Sequence, residues 1–304
     1  MIFVVQFEPG LRSSVADLLP CRKDAFELVL RHHLERDGLG TLFSLLPVSP
    51  TDDGDVFLRA VLDRSPKDAV RGEACLALGQ SAMKRAEAAR LVRGNPDLAK
   101  RFAAAAGEPA LRRLRESDPA ALDRSAEGYF ERVKADFGAV KSGRDTLGAK
   151  AEAALFSLRN LAIGNVAPEI QGADIDGRSF KLSDYRGKVV VVTFSGNWCG
   201  PCRAMYPHER KLVERLKDRP FAALSVNTDR QRGTLEDALR KGEITWRCWW
   251  DGSAGPIATA WNIQAFPAVF VLDRRGVIRY KEVRDEALEA AVEALLCEPG
   301  DGGR

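Results

Sequence analysis

The stretch that most constrains this chain is Val189 to Pro207, VVVVTFSGNWCGPCRAMYP. It opens on Val189 to Phe194, a β-branched apolar run that reads as a buried strand. Ser195-Gly196-Asn197 breaks the strand, and Trp198-Cys199-Gly200-Pro201-Cys202 follows. From Pro201 onward Met205, Leu212, Val213 and Leu216 recur at helical spacing, so the pattern predicts a helix that starts on the cysteine pair. The unpaired N–H groups and the dipole at a helix N-terminus favour a thiolate at Cys199. Cys202 lies a turn further in, near enough to close a disulfide and less open to solvent. Pro201 fits the first turn, where its missing N–H costs little. One thiolate is placed to attack a disulfide and a second thiol to resolve the mixed disulfide.

Two plainer readings compete with this one. A structural zinc site needs two further ligands; the chain has no second close cysteine pair, and His208 and Cys248 are the only plausible additions. An inert structural disulfide is the other, and the strand–WCGPC–helix context argues against it. No metal and no cofactor is expected.

At 304 residues the chain is long enough for two domains or one large one. A net charge of +3 with interspersed signs gives no pointer to nucleic acid or an anionic membrane surface. Six cysteines do not make a disulfide scaffold, and Cys21, Cys75, Cys248 and Cys297 are scattered, which reads as buried small hydrophobes or incidental thiols. No run approaches the roughly 18 apolar residues of a membrane span. The start, MIFVVQFEPG, lacks a basic n-region and has too short an apolar patch for a signal peptide; Ile2 to Phe7 reads as a short strand or as the tail of something longer.

Residues Leu11 to about Ile163 read as mostly helical. Asp24 to Glu35 is amphipathic, with Phe26, Val29, Leu30 and Leu34 on one face, and Gly38-Leu39-Gly40 reads as a break. Ser65-Pro66 looks like an N-cap and first helical residue, opening a helix that runs to about Met83. Asn95-Pro96 and Ser117-Asp118-Pro119 are further helix starts, with an Ala/Arg/Leu-rich segment from Leu98 to Arg115 between them. Leu122, Ala126, Tyr129, Phe130, Val133, Phe137 and Val140 form a stripe of helical period, and Leu147, Ala151, Leu155, Leu158 and Leu161 form another. The expectation is an all-α helical domain over residues 1–163, a bundle or helix-hairpin array of unknown role.

Gly164 to Pro168 marks the boundary, after which Val, Ile, Phe and Trp replace Ala, Arg and Leu. Ala173 to Leu182 reads as a hairpin turning at Asp176-Gly177. After the motif helix come a strand at Phe221 to Asn227, a helix at Thr234 to Lys241, and the aromatic segment Ile244 to Trp250. A short helix at Ile257 to Trp261, a hairpin of Ala268 to Leu272 with Val277 to Tyr280, and a closing helix at Asp285 to Leu296 complete it.

The C-terminal half, about Gly164 to Leu296, resembles the thioredoxin-like superfamily, and its redoxin or TlpA-like branch in particular. The resemblance rests on Ala167-Pro168, Leu182 to Val191, Trp198-Cys199-Gly200-Pro201-Cys202-Arg203, Pro207, and Phe266-Pro267-Ala268 ahead of a Val-Phe-Val strand. It implies an α/β domain over residues 164–304, a central mixed sheet flanked by helices. It also implies that Cys199 is the attacking thiol, Cys202 the resolving thiol, and Pro267 a cis-proline facing them. Trp198, Phe266 and Pro267 would meet the substrate, the backbone of Phe266 pairing with an extended peptide. Two departures stand out. Thioredoxins carry an acidic residue where this chain has Thr193, and many TlpA-like proteins carry Glu where it has Met205. Water, or Glu209 two turns along the helix, would then have to serve Cys202.

The expected function is a thiol–disulfide oxidoreductase acting on protein disulfides, with a second thiol protein as electron donor or acceptor. Cys-Gly-Pro-Cys is the thioredoxin motif, at about −270 mV, so reduction is the expected direction. A peroxiredoxin-like peroxidase is the alternative, but Val192 and Gly196 occupy the Pro and Thr/Ser positions its motif requires before Cys199. A helical interaction protein with a passenger redox domain is a further alternative. No nucleic-acid partner and no membrane span are expected. The resemblance implies an extracytoplasmic compartment, while the absence of a visible signal peptide weighs toward the cytoplasm.

Overall fold

The computed structural model describes residues 15–36, 38–45, 53–253 and 255–298. The strand expected at Ile2 to Phe7 and the tail from residue 299 lie outside them. The chain divides into two compact units that meet between Leu158 and Arg159.

The first unit is helical: α1 (Val15–His32), α2 (Leu39–Leu45), α3 (Asp53–Arg64), α4 (Asp68–Gly94), α5 (Pro96–Ala106), α6 (Glu108–Glu116), α7 (Pro119–Phe137) and α8 (Leu147–Asn160). A small antiparallel pair, β1 (Lys141–Ser142) with β2 (Asp145–Thr146), precedes α8 and was not expected. Helix α4 is the axis of this unit. Ala74 to Gly79 are consecutively buried, so the helix is enclosed on all sides rather than amphipathic. Its small residues let neighbours approach: a Cβ on Gly79 would lie 2.5 Å from the Phe130 ring of α7, and one on Gly72 2.5 Å from Leu147. Phe26, Phe43 and Phe57 join α1, α2 and α3 by ring contacts, Phe26 stacking on Phe57 at 4.3 Å.

Several helix boundaries differ from the sequence reading: α1 starts at Val15 rather than Asp24, α4 runs on to Gly94, past the expected end at Met83, and three others differ for a local reason. Ser65 closes the last turn of α3, its N–H bonded to Val61 and its hydroxyl to the Leu34 carbonyl, so α4 starts later, after Lys67. The Leu98–Arg115 segment is two helices, because Gly107 turns the chain at φ +87° and Pro109 opens the second. A helix starts at Leu39, where Gly38-Leu39-Gly40 read as a break. The caps at Asn95 and Asp118 are as expected, each side chain accepting N–H groups of the helix it opens.

The second unit holds β3 (Gln171–Ala173), β4 (Ser179–Lys181), β5 (Val189–Ser195), α9 (Gly200–Arg215), β6 (Phe221–Asn227), α10 (Arg232–Arg240), β7 (Arg247–Trp250), α11 (Pro256–Ala260), β8 (Ala268–Leu272), β9 (Ile278–Lys281) and α12 (Asp285–Cys297). The main sheet has the order β7-β6-β5-β8-β9, with β7, β6 and β5 parallel and β8 and β9 antiparallel to their neighbours. It is the mixed sheet flanked by helices that the sequence led us to expect. Strand β5 is central and buried along its whole length, which its unbroken β-branched run requires. The β3–β4 hairpin is fastened beside β7. Phe180 stacks on Trp249 at 4.1 Å, Arg247 lies 3.9 Å over the Phe180 ring, and Arg247 donates to Asp174 at 2.7 Å.

The glycines of the helical unit give a direct test of its packing. Gly79→Ala should destabilise the protein by about 1–3 kcal/mol, because the Phe130 ring must shift. Gly128→Ala, in α7 with open space around it, should stabilise by about 0.5–1 kcal/mol. Urea denaturation of the two variants checks the contrast.

Candidate active site

The site is built where β5 ends and α9 begins. Cys199 caps α9: it takes an extended conformation, its Sγ accepts the N–H of Cys202 at 3.2 Å, and Pro201 sits in the first turn. Cys199 and Cys202 are joined as a disulfide, with S–S 2.08 Å and Cα–Cα 5.2 Å. Cys199 retains 5% exposure and Cys202 1%, so both residues are buried in the joined state. Trp198 is 60% exposed, and its ring stands edge-on to Phe266 with centroids 5.2 Å apart. The Phe266–Pro267 bond is cis, and Pro267 is buried at the start of β8. Strand β8 pairs directly with β5, which brings the 266–267 loop to the cysteine pair.

The loop between β5 and Cys199 is pinned by the residues that end β6, and sequence reasoning missed this. Asp229 is buried, and its carboxylate accepts three amide N–H bonds: from the Asn197 backbone at 2.7 Å, the Asn197 side chain at 2.7 Å, and the Asn227 side chain at 2.9 Å. Thr228 donates its hydroxyl to the Ser195 carbonyl at 2.9 Å and accepts the Trp198 indole N–H at 3.3 Å. Gly196 makes that contact possible, since a Cβ there would lie 2.3 Å from the indole nitrogen. The one signal for it in the sequence is Asn227-Thr228-Asp229, a polar run closing a buried strand next to the motif strand.

Behind the cysteines, α9 buries Cys202, Met205, Tyr206, Glu209 and Leu212 along one face. Thr193, on β5, donates its hydroxyl to Glu209 Oε1 at 3.1 Å, and Glu209 Oε2 has no hydrogen-bond partner. Burial drives the Glu209 carboxyl up to about 7; the Thr193 hydrogen bond opposes this and Asp285 adds to it. The two residues that depart from the family pattern therefore meet differently: Met205 is apolar packing, and Thr193 is a donor to an acid supplied by the helix.

Among the described residues Cys75, Cys248 and Cys297 are free thiols. Burial pushes Cys248 up to about 12 beside Ser225, and Cys75 up to about 11, so neither is a thiolate at neutral pH. Cys297 is exposed near the end of α12. Among the described residues no group of three His, Cys, Asp or Glu side chains is placed to hold a metal ion.

A strand-ending dithiol at a helix N-terminus, beside a cis-proline on a mixed five-stranded sheet, defines a thioredoxin-like redox domain. Residues 163–281 match the model of the AhpC/TSA family, so the C-terminal half carries a redoxin domain of that kind. The chain is 29% identical over 119 residues to the thiol-disulfide oxidoreductase ResA of Geobacillus kaustophilus, covering 39% of this chain and 68% of the relative. It is 28% identical over 122 residues to the thioredoxin-like protein YneN of Bacillus subtilis, covering 38% and 68%. Among solved structures, the thioredoxin domain of a Bacteroides vulgatus thiol-disulfide oxidoreductase aligns with 31% identity and a TM-score of 0.42, covering 45% of this chain and 99% of that one.

Glu209 gives the site a pH signature in stability. The folded protein holds this proton up to about pH 7, whereas an ordinary glutamate releases it near 4.5. Between those values the folded state binds more protons than the unfolded state, so stability falls as pH rises through the window and levels off above it. The expected loss is on the order of 3 kcal/mol. Glu209→Gln, which does not ionise, should flatten the profile between pH 4.5 and 7 in urea titrations.

Proposed function

We propose that this chain is a thiol–disulfide oxidoreductase that reduces protein disulfides through Cys199 and Cys202. The observation that carries the reading is the joined cysteine pair at the start of α9, next to Trp198, Phe266 and cis Pro267. In the reduced protein the Cys199 thiolate, held at the helix N-terminus by the dipole and the Cys202 N–H, attacks one sulfur of a substrate disulfide. That S–S bond breaks, and the departing sulfur takes a proton. Cys202, once deprotonated, attacks Cys199 Sγ and releases the second substrate thiol. Two electrons have then passed to the substrate and the pair is joined, so a thiol-bearing donor protein must return it to the dithiol.

Cys202 needs a proton acceptor, and Glu209 is the buried acid on its own helix face. Its carboxyl, poised near 7 and with one oxygen unpartnered, is suited to take that proton through an intervening water and to give it to the medium later. The substrate surface is Trp198, Phe266 and Pro267, with an extended peptide pairing along the Phe266 backbone. Resemblance to the TlpA-like branch favours an extracytoplasmic setting. Among the described residues no helix is long and apolar enough to cross a membrane.

Iodoacetamide should alkylate Cys199 of the reduced protein first near neutral pH, with Cys202 slower by about tenfold or more. Peptide mapping reads the order, and equal rates would count against the assignment. Cys199→Ser should abolish insulin reduction, while Cys202→Ser should accumulate a mixed disulfide at Cys199. Hydrogen peroxide consumption in place of insulin reduction would favour the peroxidase reading.

We propose further that residues 1–163 are a helical adaptor that presents the redox domain, residues 164–304, to its client. The support is that the helical unit has a core of its own, from Phe26 to Leu158, and no use for it in the chemistry. Separately expressed, the piece 164–304 should reduce insulin as fast as the whole chain, and the piece 1–163 should be helical by circular dichroism. An unfolded N-terminal piece would sink the adaptor.

A further inference from the structure

Besides Trp198, one other tryptophan is exposed: Trp250, at 37%, the last residue of β7. Its neighbour Trp249 points to the opposite face of the sheet and is fully buried. A tryptophan at a water boundary ordinarily keeps its ring in apolar surroundings and turns its N–H to solvent. Both exposed indoles do the reverse. Trp198 gives its N–H to the Thr228 hydroxyl at 3.3 Å, and Trp250 gives its N–H to the Asp229 carbonyl at 3.1 Å. The polar edge of each ring is spent inside the protein, and what remains for the solvent is hydrocarbon.

The two anchors are adjacent residues at the end of β6, which lies between β5 and β7. Trp198 follows the carboxyl end of β5 and Trp250 ends β7, so three neighbouring parallel strands deliver the two rings and their tether to one end of the sheet. The tether is firm: Asp229 is buried and bonded to Asn197 and Asn227, and the N–H groups of Asp251 and Gly252, which follow Trp250, are held by the Asn227 carbonyl at 2.8 and 3.3 Å. Rings fixed in this way lose little freedom when something packs on them, which is the property of a recognition surface.

We propose that Trp250 is a specificity-determining residue of the redox centre, receiving an apolar side chain of the substrate polypeptide a few residues from the disulfide that Cys199 attacks. The proposal rests on the oxidoreductase reading and extends it to the substrate: a polypeptide disulfide flanked on one side by an aliphatic or aromatic residue. The occupant is argued from placement: the two rings are anchored on adjacent residues, Thr228 and Asp229, and Trp198 is the residue before Cys199. Trp250 touches no reacting atom; its contribution is to binding.

The test compares two short cystine peptides that differ at the flanking positions, one carrying leucine and one serine, with oxidised glutathione as a disulfide that carries neither. The wild-type chain should prefer the leucine peptide by about tenfold in kcat/KM, expressed mainly in KM. Trp250→Ala should bring that ratio close to one by raising KM for the leucine peptide. Trp250→Phe, which loses the N–H but keeps an aromatic face, should retain most of the preference. Because each result is a ratio between two substrates of one preparation, partial misfolding does not imitate it. A wild-type chain that reduces all three substrates without preference overturns the proposal and leaves the oxidoreductase reading standing. So does a Trp250→Ala variant with the preference intact. Loss of preference in Trp250→Phe equal to that in Trp250→Ala also overturns it, since an aromatic face at this position would then contribute nothing to the preference. A wild-type chain that reduces none of the three overturns the oxidoreductase reading itself.

Discussion

The redox end of this protein hangs on a buried carboxylate whose three donors are amides. Asp229 places a carboxyl group in the protein interior, and its oxygens are met there by Asn197 twice and by Asn227 once. In return the loop from Ser195 to Trp198 has little freedom. Its carbonyl at Ser195, its amide at Asn197 and its indole at Trp198 are all tied to Thr228 and Asp229, the two residues that follow β6. Cys199 is the next residue, so the position of its sulfur relative to the helix axis is inherited from a hydrogen-bond network at the end of the neighbouring strand. A cap residue on a slack loop would have the same local sequence and a far less defined sulfur.

Much of this site is legible in the amino-acid sequence, and the reason is that its parts are local. A β-branched run, a three-residue break and a Cys-x-x-Cys pair with Pro in the first turn specify strand, loop and helix within twenty residues. The cis-proline loop is reachable because Phe266-Pro267 precedes an unmistakable strand. Asp229 and Trp250 are not reachable, because what matters about them is which strands lie side by side. Strand order β7-β6-β5 is set by the packing of the whole sheet, and no periodicity announces it. Glu209 is intermediate. Its helical phase puts it on the same face as Cys202, but its bond to Thr193 crosses from helix to strand. In the helical unit Asn95 and Asp118 with Pro behind them read correctly, while Ser65 stays in the last turn of α3, its N–H bonded to Val61, and its hydroxyl donates to the Leu34 carbonyl while accepting the Lys67 N–H.

The two units reach stability by different means. The redox unit buries a sheet whose central strand is long, apolar and paired on both sides, and its polar groups are concentrated at the carboxyl end of that sheet. The helical unit encloses a single long helix, and close approach there depends on small residues, with Gly72 and Gly79 leaving room for Leu147 and Phe130. A core of that kind tolerates little enlargement, whereas its solvent face carries loosely held charge pairs that contribute little each.

A buried acid on α9, facing a hydroxyl on β5, has a physical consequence of its own. A carboxylate projecting from β5 at position 193 would sit on a strand hydrogen-bonded along both edges. Supplied instead from α9, the acid meets a hydroxyl that the strand contributes, so one of its oxygens is satisfied whether or not it is ionised. The other oxygen has no partner, and the cost of charging it in that setting is what holds its proton near neutrality. Thr193 and Glu209 thus act as a pair: without the threonine the carboxyl would lose the hydrogen bond that opposes its desolvation, and its proton would be held more tightly still. A threonine in the middle of an otherwise apolar strand, facing a glutamate on an otherwise apolar helix face, is the pattern by which that arrangement can be recognised in a sequence.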